Sequence, residues 1–591
     1  MGFWRLHKAH SPFFASDLAE VDFVQSANEI TFVHLDYAPR KLVRTDHTDW
    51  AFSTITFGAA ISPPANVAGS ASQPNATGAI ATTYTYYVTA TDANGQESIA
   101  SAPNTETNDL SLPGNYNTIT WDAVADASFY TVYKGDNSAP GYVGMVQAPT
   151  LSFKDRNLQS VASDTPPLAT NPFSSADNYP SSVTFHQGRQ IFGRTRNRPN
   201  AIWGSQPAAP ENMDVSRPAR PDDALSFALV TEKVNSANQL VSMGKDLIVL
   251  GGDSIFSVTG GEGGALTPAA IEPKRETGRG SSRLQPIVID SVVFYQSERS
   301  EGVRALGFTF ETEGYKSNNV AIFSPHFFLA RRIVSWAYQE EPYSCIWTAL
   351  DDGTLLCFTW EEEQEVWGWT MMEIDGLVEQ VQVVHENGYD RLYALIRRTI
   401  AGVERRFHER LALPHFDDIT TACHLDCAVT QVSAEPSDTI DQLWHLEGET
   451  VSAVYDGYVE HGLTVENGSV TLPEPAYIRT AGLRYTGIIE TLPLVLDGND
   501  TDRQSFGDIV VRALETRGLE ISTDDTLFDP LPERDGIDTA QLPESDVRDF
   551  PAVAPGNWTD GSTLIIRQQE PLPAHIAAVF IEVALGESRE R

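Results

Sequence analysis

Apolar residues recur at every second position in short runs along most of the chain, the spacing that turns one face of a strand toward a core. The first run is Ile30-Thr-Phe32-Val-His34-Leu35, then a polar stretch at Tyr37-Ala-Pro39-Arg-Lys41, then Trp50-Ala-Phe52-Ser-Thr-Ile55-Thr-Phe57. That pattern predicts a strand, a turn and a strand. Pro63-Pro64 and a Gly/Ser/Asn-rich stretch to Gly78 read as a linker. Beyond it Tyr84, Tyr86, Val88 and Ala90 fall on one face of a strand, with Thr85, Tyr87 and Thr89 on the other. Asn94-Gly95 marks a turn, and Ile119-Thr-Trp121 and Phe129-Tyr130-Thr-Val132-Tyr133 predict two more strands before Pro166-Pro167.

From about residue 180 to 420 short strands alternate with turn signals. Val183-Thr-Phe185, Arg189-Gln-Ile191-Phe192 and Ala201-Ile-Trp203 form one group. Asp246-Leu-Ile-Val-Leu250 turns at Gly251-Gly252 into Ile255-Phe-Ser-Val258, and Pro286-Ile-Val-Ile289 precedes Val292-Val-Phe294 and Val303-Arg-Ala-Leu306. Cys345-Ile-Trp347-Thr-Ala-Leu350 turns at Asp351-Asp352-Gly353 into Leu355-Leu-Cys-Phe358, followed by Val366-Trp367-Gly-Trp369 and Arg391-Leu-Tyr-Ala-Leu-Ile396. Each group spans about 40–50 residues, the length of a propeller blade. The fold class expected is therefore all-β: a divergent β-propeller body, an inserted β-sandwich and a further small β domain. The boundaries are 1–62 for N-terminal strands joining the body, 63–168 for the sandwich, 169–420 for the blades and 421–495 for a second all-β insert. Residues 496–591 are expected to hold strands that close the propeller, among them Leu564-Ile-Ile-Arg567 and Ala577-Ala-Val-Phe-Ile581, and an acidic, Pro-rich loop from Asp524 to Asp546.

Charge changes this picture most. Eighty acidic residues against 41 basic ones give a net charge of −39. Such a surface repels nucleic acid at long range and argues against sequence-specific DNA binding. It suits either a highly soluble protein or a channel wall past which DNA slides, because a basic wall would hold the DNA by releasing its counterions. There is no helical heptad run and no apolar stretch of about 18 residues to span a membrane. Residues 1–10 lack the apolar run of a secretory leader, so the chain is expected to stay where it is made. Four cysteines among 591 residues suit a reducing compartment.

Candidate chemistry is sparse. Cys423-His424 and Cys427 bring three metal-type ligands together, but a closed tetrahedral site needs a fourth, so ordinary thiols and no metal are expected. Gly260-Gly261-Glu262-Gly263-Gly264 lacks the Lys and hydroxyl of a phosphate loop. His385-Glu386 and His408-Glu409 have no second His one turn on. Leu350-Asp351-Asp352-Gly353-Thr354 looks like the Asp-box turn of sialidase propellers but lacks the tryptophan after the threonine, so a plain hairpin turn is expected. Asn75-Ala-Thr77 and Asn467-Gly-Ser469 match glycosylation acceptors without a leader to give them meaning. Basic residues cluster at Arg194, Arg196 and Arg198, at Lys274, Arg275 and Arg279, at Arg331-Arg332, at Arg397-Arg398 and at Arg405-Arg406. They read as partners of the surplus carboxylates or, functionally, as charge complements between subunits. No catalytic, cofactor-binding or metal-binding residue is assigned, and no enzyme activity is expected.

Two resemblances add to this reading. Ile119-Thr-Trp121-Asp-Ala-Val124 and Tyr130-Thr-Val-Tyr133 resemble a fibronectin type III domain over about one sixth of the chain. A longer series of phrases resembles the tail nozzle family of short-tailed bacteriophages, also called tail tubular protein B. It comprises Phe23-Val-Gln-Ser-Ala-Asn28, Tyr37-Ala-Pro-Arg-Lys-Leu42, Phe185-His-Gln-Gly-Arg189, Thr195-Arg-Asn-Arg-Pro199 and Ile202-Trp-Gly-Ser205. Ala265-Leu-Thr-Pro268, Gly280-Ser-Ser282 with Pro286, Val366-Trp-Gly-Trp369, and His445-Leu-Glu-Gly-Glu-Thr-Val451 with Asp456-Gly457 continue it in order.

That resemblance implies a structural virion protein. Six copies would form a ring below a portal and an adaptor ring similar to tail tubular protein A, extend the DNA-ejection channel and anchor tail fibres or spikes. Genomic DNA would pass through the lumen without specific binding, there would be no membrane insertion, and assembly would take place in the host cytoplasm. The family carries no catalytic residues to transfer. The start departs from the pattern at Met1–His10 and in the acidic Asp17–Asp22 segment, which bears on contacts with the adaptor. The competing expectation is a receptor- or glycan-binding propeller tail protein; an intracellular scaffold with no phage context is a third.

Overall fold

The computed structural model describes residues 10–135, 140–230, 235–261, 264–299, 302–412, 421–493, 503–531, 548–553, 559–560 and 563–585. The acidic positions Asp535, Glu544 and Asp546, and the Glu262-Gly263 pair, lie outside them. Among the described residues the chain is all-β, with three short 3₁₀ turns and no α-helix. It divides into two compact units, Met1–His326 and Phe327–Arg591, so the division falls inside the 169–420 stretch expected to form one body.

The body is built from blade-type sheets, antiparallel meanders in chain order, five of four strands and one of three among the described residues. In the first unit these are Asp22–Ser26 to Asp49–Thr54, Ser182–His186 to Leu225–Ala228, Ala237–Met243 to Glu272–Thr277, and Ile287–Ile289 to Gly314–Asn319. The second unit holds Ile333–Gln339 to Val366–Met372 and a three-stranded sheet from Leu377–Glu386 to Val403–Arg410.

Within each unit successive sheets pack face to face on the alternate apolar residues that the sequence shows. Val33 joins Val183, Phe192 and Trp203 between the first and second sheets. Ile191, Ile202 and Leu225 meet Leu240, Leu247 and Phe256 between the second and third, and Ile248, Leu250 and Ile255 meet Val293, Tyr295 and Leu306 between the third and fourth. In the second unit Trp347 and Leu355 pack on Val378, Leu392 and Ile396. Each such side chain, fully buried, contributes about 1.5–3 kcal/mol of transfer free energy.

The N-terminal segment holds four strands where two were expected. The stretch read as a turn, Tyr37-Ala-Pro-Arg-Lys41, belongs to the strand Tyr37–Asp46, which is hydrogen-bonded on both sides. A central strand tolerates Pro39 because the register against the preceding strand shifts between Phe32 and His34, the kind of irregularity at which proline is found inside sheets. Asp22 ties this sheet to the next: it is buried and accepts the backbone N–H of Val183 and of Phe23, both at 2.9 Å.

Burial pushes the Asp22 carboxyl up to about 7, and its two backbone N–H bonds only partly offset that. The folded chain therefore holds a proton that the unfolded chain has released above about pH 4. Stability from this group falls as pH rises from about 4 to about 7, by at most about 1.4 kcal/mol per pH unit. In urea titrations at pH 4.5, 6 and 7.5, the Asp22→Asn variant is expected to lose less stability across the series than the parent; equal losses would contradict this account.

Residues 68–155 form a two-sheet sandwich. One sheet has the order Gly141–Gln147, Ala127–Gly135, Thr82–Asp92, Asn104–Asn108, and the other Ser152–Asp155, Tyr116–Thr120, Ala68–Ser72. Tyr86, Val88, Ala90, Ile119, Trp121, Tyr130 and Val132 fill the core. The Ala68–Ser72 strand lies in the stretch expected to be linker. Its small residues hide it: a Cβ on Gly69 would stand 2.4 Å from both Asn104 Oδ1 and Glu106 Oε1, so the neighbouring side chains lie against bare backbone. Arg220 ties the sandwich to the blades through Glu97 at 3.1 Å, Asp164 and the Thr165 carbonyl, while Tyr133 donates to Glu97 at 2.6 Å.

In the second unit Asp426–Ile440, Val470–Leu483, Thr450–Tyr455 and Tyr458–Thr464 form the insert sheet. Two corrections follow. The strand Gly487–Glu490, expected inside the 421–495 insert, pairs instead with Ile565–Gln568. The C-terminal strands do not add to a blade: Ile565–Gln568 also pairs with Leu519–Ser522, and His575–Leu585 pairs with Arg503–Leu514. These two sheets enclose a core of their own, including Ile509, Val511, Ile521, Phe550, Leu564 and Ile566. The first blade-type sheet has its four strands, Asp22–Ser26 to Asp49–Thr54, without them.

Candidate functional site

The hairpin ends of the second and third blade-type sheets enclose an open cleft of about 790 Å³. Gln187, from the turn after Ser182–His186, braces it by donating to the Lys245 carbonyl (3.2 Å) and the Gly264 carbonyl (2.7 Å) and accepting from Leu266 N–H (2.8 Å). Arg189 is buried in its wall and donates to the carbonyls of Ser205 (2.7 Å), Asp223 (2.7 Å) and Pro221 (3.0 Å). The guanidinium is thus spent on backbone, and burial holds it below its usual range against the pull of Asp222 and Asp223. The remaining ionisable lining groups, Asp222 and Lys245, are both exposed. Nearby His186 is buried with Nδ1 2.8 Å from Ser242 Oγ, and burial lowers its pKa, so the ring stays neutral. The lining holds no nucleophile beside a base and no facing carboxylate pair. What it offers is a polar-edged recess able to hold a small ligand.

The expected ligand candidates do not converge. Burial raises the thiols of Cys423 and Cys427 to about 12 each, and burial with nearby His575 lowers His424. Protonated thiols are poor ligands, and among the described residues no group of three or more His, Cys, Asp or Glu is placed to hold a metal. Asp351-Asp352-Gly353-Thr354 is a hairpin turn: Gly353 N–H donates to the Leu350 carbonyl (3.0 Å), Thr354 N–H to Asp352 (3.0 Å), and Gly353 has φ 89°. His385 lies 2.9 Å from Asp390, and His408 stacks on Tyr393. Asn467 sits in a tight turn at φ 53°.

Most of the basic clusters pair with carboxylates. Arg196 meets Asp36 (2.5 Å), Lys274 meets Glu276 (3.4 Å), Arg331 meets Asp352 (2.8 Å), and Arg397 and Arg406 share Glu379 (3.2 and 2.6 Å). Arg198 instead lies over the Trp203 ring at 5.5 Å. Arg398 is the exception in burial, with 1% of its side chain exposed between Glu409 and Asp426.

The phrases that carry the nozzle resemblance fall largely on the polar bonds holding the blades in register. Arg189 and Ser205 bond one another's strand, and Ser281 N–H donates to the Gly251 carbonyl while Ser282 N–H donates to the Gln296 carbonyl. Gly280 is pressed between these sheets, since a Cβ there would stand 1.9 Å from the Gly252 carbonyl oxygen. His445 donates from Nε2 to the Cys427 carbonyl at 2.7 Å, and Asp456 accepts from Tyr477 and Ile478 N–H. Gln187, Arg189 and Ala265–Thr267 from these phrases also line the cleft, while Ser205, Gly280, Ser281, Ser282, His445 and Asp456 lie outside its lining.

What the sequence reading missed is how unevenly the charge is divided. The first unit carries 32 acidic and 23 basic residues; the second carries 48 and 18, and all 18 are arginine. Among the described residues no helix is long and apolar enough to cross a membrane.

These features define an all-β protein with a blade-built body. No family model matches the chain, and no curated protein matches it. Solved structures similar to it include a periplasmic gluconolactonase, PpgL, of Pseudomonas aeruginosa, at 11% identity, covering 55% of this chain and 96% of that one with a TM-score of 0.24. A putative 6-phosphogluconolactonase of Bacteroides fragilis matches at 8% identity, covering 57% and 96%, with a TM-score of 0.22. Apo AztD of Citrobacter koseri matches at 10% identity, covering 56% and 95%, with a TM-score of 0.22. At these scores the likeness carries no argument about substrate or site.

Proposed function

We propose that this chain is the nozzle subunit of a short-tailed phage tail, a structural protein and not an enzyme. Six copies form a ring beneath an adaptor ring, extend the DNA-ejection channel and anchor fibres or spikes. The observation that carries this reading is the ordered series of nozzle-like phrases running from Phe23 to Gly457 through both units. The charge distribution supports it. A unit with 48 acidic and 18 basic residues makes a wall that does not hold DNA, since binding to the duplex is driven by cations that displace its counterions. In the ring, the acidic second unit forms the channel wall.

A second reading is favoured by one feature, the open cleft edged by Asp222, Lys245 and threonine hydroxyls, which suits a glycan-binding propeller tail protein. Light scattering of the purified chain, alone and with an adaptor protein, separates the two. A hexamer, or a monomer that assembles on the adaptor ring, supports the nozzle. A persistent monomer that ignores the adaptor and binds immobilised glycans supports receptor recognition and overturns it.

A further inference from the structure

The outermost strand of a sheet presents unpaired backbone N–H and C=O groups, and proteins usually protect such an edge with charge or proline. In the third blade-type sheet the outer strand Glu272–Thr277 carries Pro273, Lys274 and Arg275. The outer strand Val403–Arg410 carries Glu404, Arg405, Arg406, Glu409 and Arg410. The strand Val366–Met372 is different. It is terminal in its sheet and, among the described residues, pairs only with Leu355–Glu361. Its seven residues, Val-Trp-Gly-Trp-Thr-Met-Met, include no charge and no proline.

Val366, Trp367 and Met371 of this strand are each about half exposed (54%, 47% and 53%), and the space beside Gly368 is open. Trp367, Trp369 and Met371 share one face; Trp369 is buried against Phe328 and Phe358, so Trp367 and Met371, with half-buried Trp360 across from Trp367, are what that face leaves open. The Trp360 and Trp367 rings are 5.6 Å apart, and Phe358 and Trp369 4.6 Å. Both ends of the strand are acidic, with Glu361, Glu362, Glu363 and Glu365 before it and Glu373 and Asp375 after it. An extended segment added here gains backbone hydrogen bonds from the edge, apolar contact from Trp367 and Met371 and attraction from both ends if it is cationic.

We infer that this edge is an assembly site that takes residues 1–10 of a second copy of the chain as an added strand. Their sequence, Met-Gly-Phe-Trp-Arg-Leu-His-Lys-Ala-His, has Arg5 and Lys8 and no acidic residue. In an extended segment, alternation would put Trp4 and Leu6 on one side, apolar residues suited to the face where Trp367 and Met371 are open. The inference deepens the ring reading, on which it rests for the presence of a second copy, by naming the contact that joins neighbours.

The absence of lysine from the second unit gives a clean test, because an amine linked to a carboxylate in 361–375 must come from the first unit or the chain's own amino terminus. Full-length chains labelled with ¹⁴N and with ¹⁵N are mixed, treated with a carbodiimide and digested. The reagent activates a carboxylate and the Lys8 amine displaces it, forming an amide and releasing the urea. Mass spectrometry is expected to show Lys8 joined to Glu361–Glu365 in mixed-isotope pairs. Those pairs are expected to fall about tenfold in the Thr370→Arg variant, which places a like charge on the edge without adding an amine, and to fall similarly in Arg5→Glu. Same-isotope pairs alone would put the segment on its own chain and overturn the inference, as would no pair at all. Light scattering on the same samples separates the two claims. A hexamer without mixed pairs overturns the docking and leaves the ring standing, whereas mixed pairs in a chain that never exceeds a dimer uphold the docking and overturn the ring.

Discussion

Replacing Arg398 by methionine is expected to destabilise the second unit by about 3–5 kcal/mol, because it strands two carboxylates in a site built for a cation. The guanidinium donates to Glu409 at 2.7 Å through both Nε and Nη2, and to Asp426 at 2.8 and 2.7 Å through Nη1 and Nη2. It also donates to the Asp375 carbonyl. Burial works against the charge, yet these bonds outweigh it and hold Arg398 above its ordinary range. Glu409 lies on the outer strand of one sheet and Asp426 opens the insert sheet, so one side chain links two sheets of the unit. Arg398→Lys is not expected to restore stability, since an ammonium lacks the planar fork that serves two carboxylates at once. Arg406, exposed and paired with Glu379, is the control, and its methionine variant is expected to leave the denaturation midpoint unchanged. Urea denaturation followed by tryptophan fluorescence checks this. An Arg398→Met midpoint equal to that of Arg406→Met would show that the buried pair contributes nothing.

The second large effect is expected in the sandwich. Asp155 is fully buried and accepts from Lys134 Nζ (2.9 Å), Tyr86 Oη (2.7 Å) and Leu158 N–H (2.8 Å). Behind it, Asn117 donates to Tyr86 Oη (3.0 Å) and Asn108 donates to Asn117 (2.9 Å). Asp155→Ala leaves the buried Lys134 ammonium without its counter-charge, with only the Leu158 carbonyl to donate to, and the Tyr86 hydroxyl without its acceptor, and is expected to cost about 3–5 kcal/mol. Lys134→Met combined with Asp155→Leu removes both charges together and is expected to recover most of that loss, the remainder being the orphaned tyrosine hydroxyl. Limited proteolysis with cleavage mapped between residues 68 and 155 reads the sandwich apart from the rest. Failure of the double substitution to recover any protection would mean that Asp155 acts by some route other than pairing with Lys134.

The inner strands of the blades were legible because both of their faces are covered. Leu247, Ile248, Val249 and Leu250 are fully buried, and their unbroken apolar run marks the strand plainly. Outer strands such as Glu272–Thr277 and Gly314–Asn319 were invisible, since they meet solvent and carry no alternation. The Asp-Gly turn at Asp352-Gly353 was readable because its chemistry is local. The destination of the C-terminal strands was not, because Ile565–Gln568 has the same apolar pattern whether it joins a blade or a separate sandwich. Sheet register is chosen by long-range packing that a local pattern does not encode. The cleft was hidden for a related reason, since Gln187, Asp222, Lys245 and Thr267 come from four separate turns.

The central claim is that this chain forms a DNA conduit whose wall is the acidic unit. Electron cryomicroscopy of the chain assembled on an adaptor ring tests it most directly. The account predicts a sixfold annulus with carboxylates of residues 327–591 facing the lumen. A closed particle without a channel, or an annulus whose lumen is lined by neutral or basic side chains while the acidic unit faces outward, would contradict it.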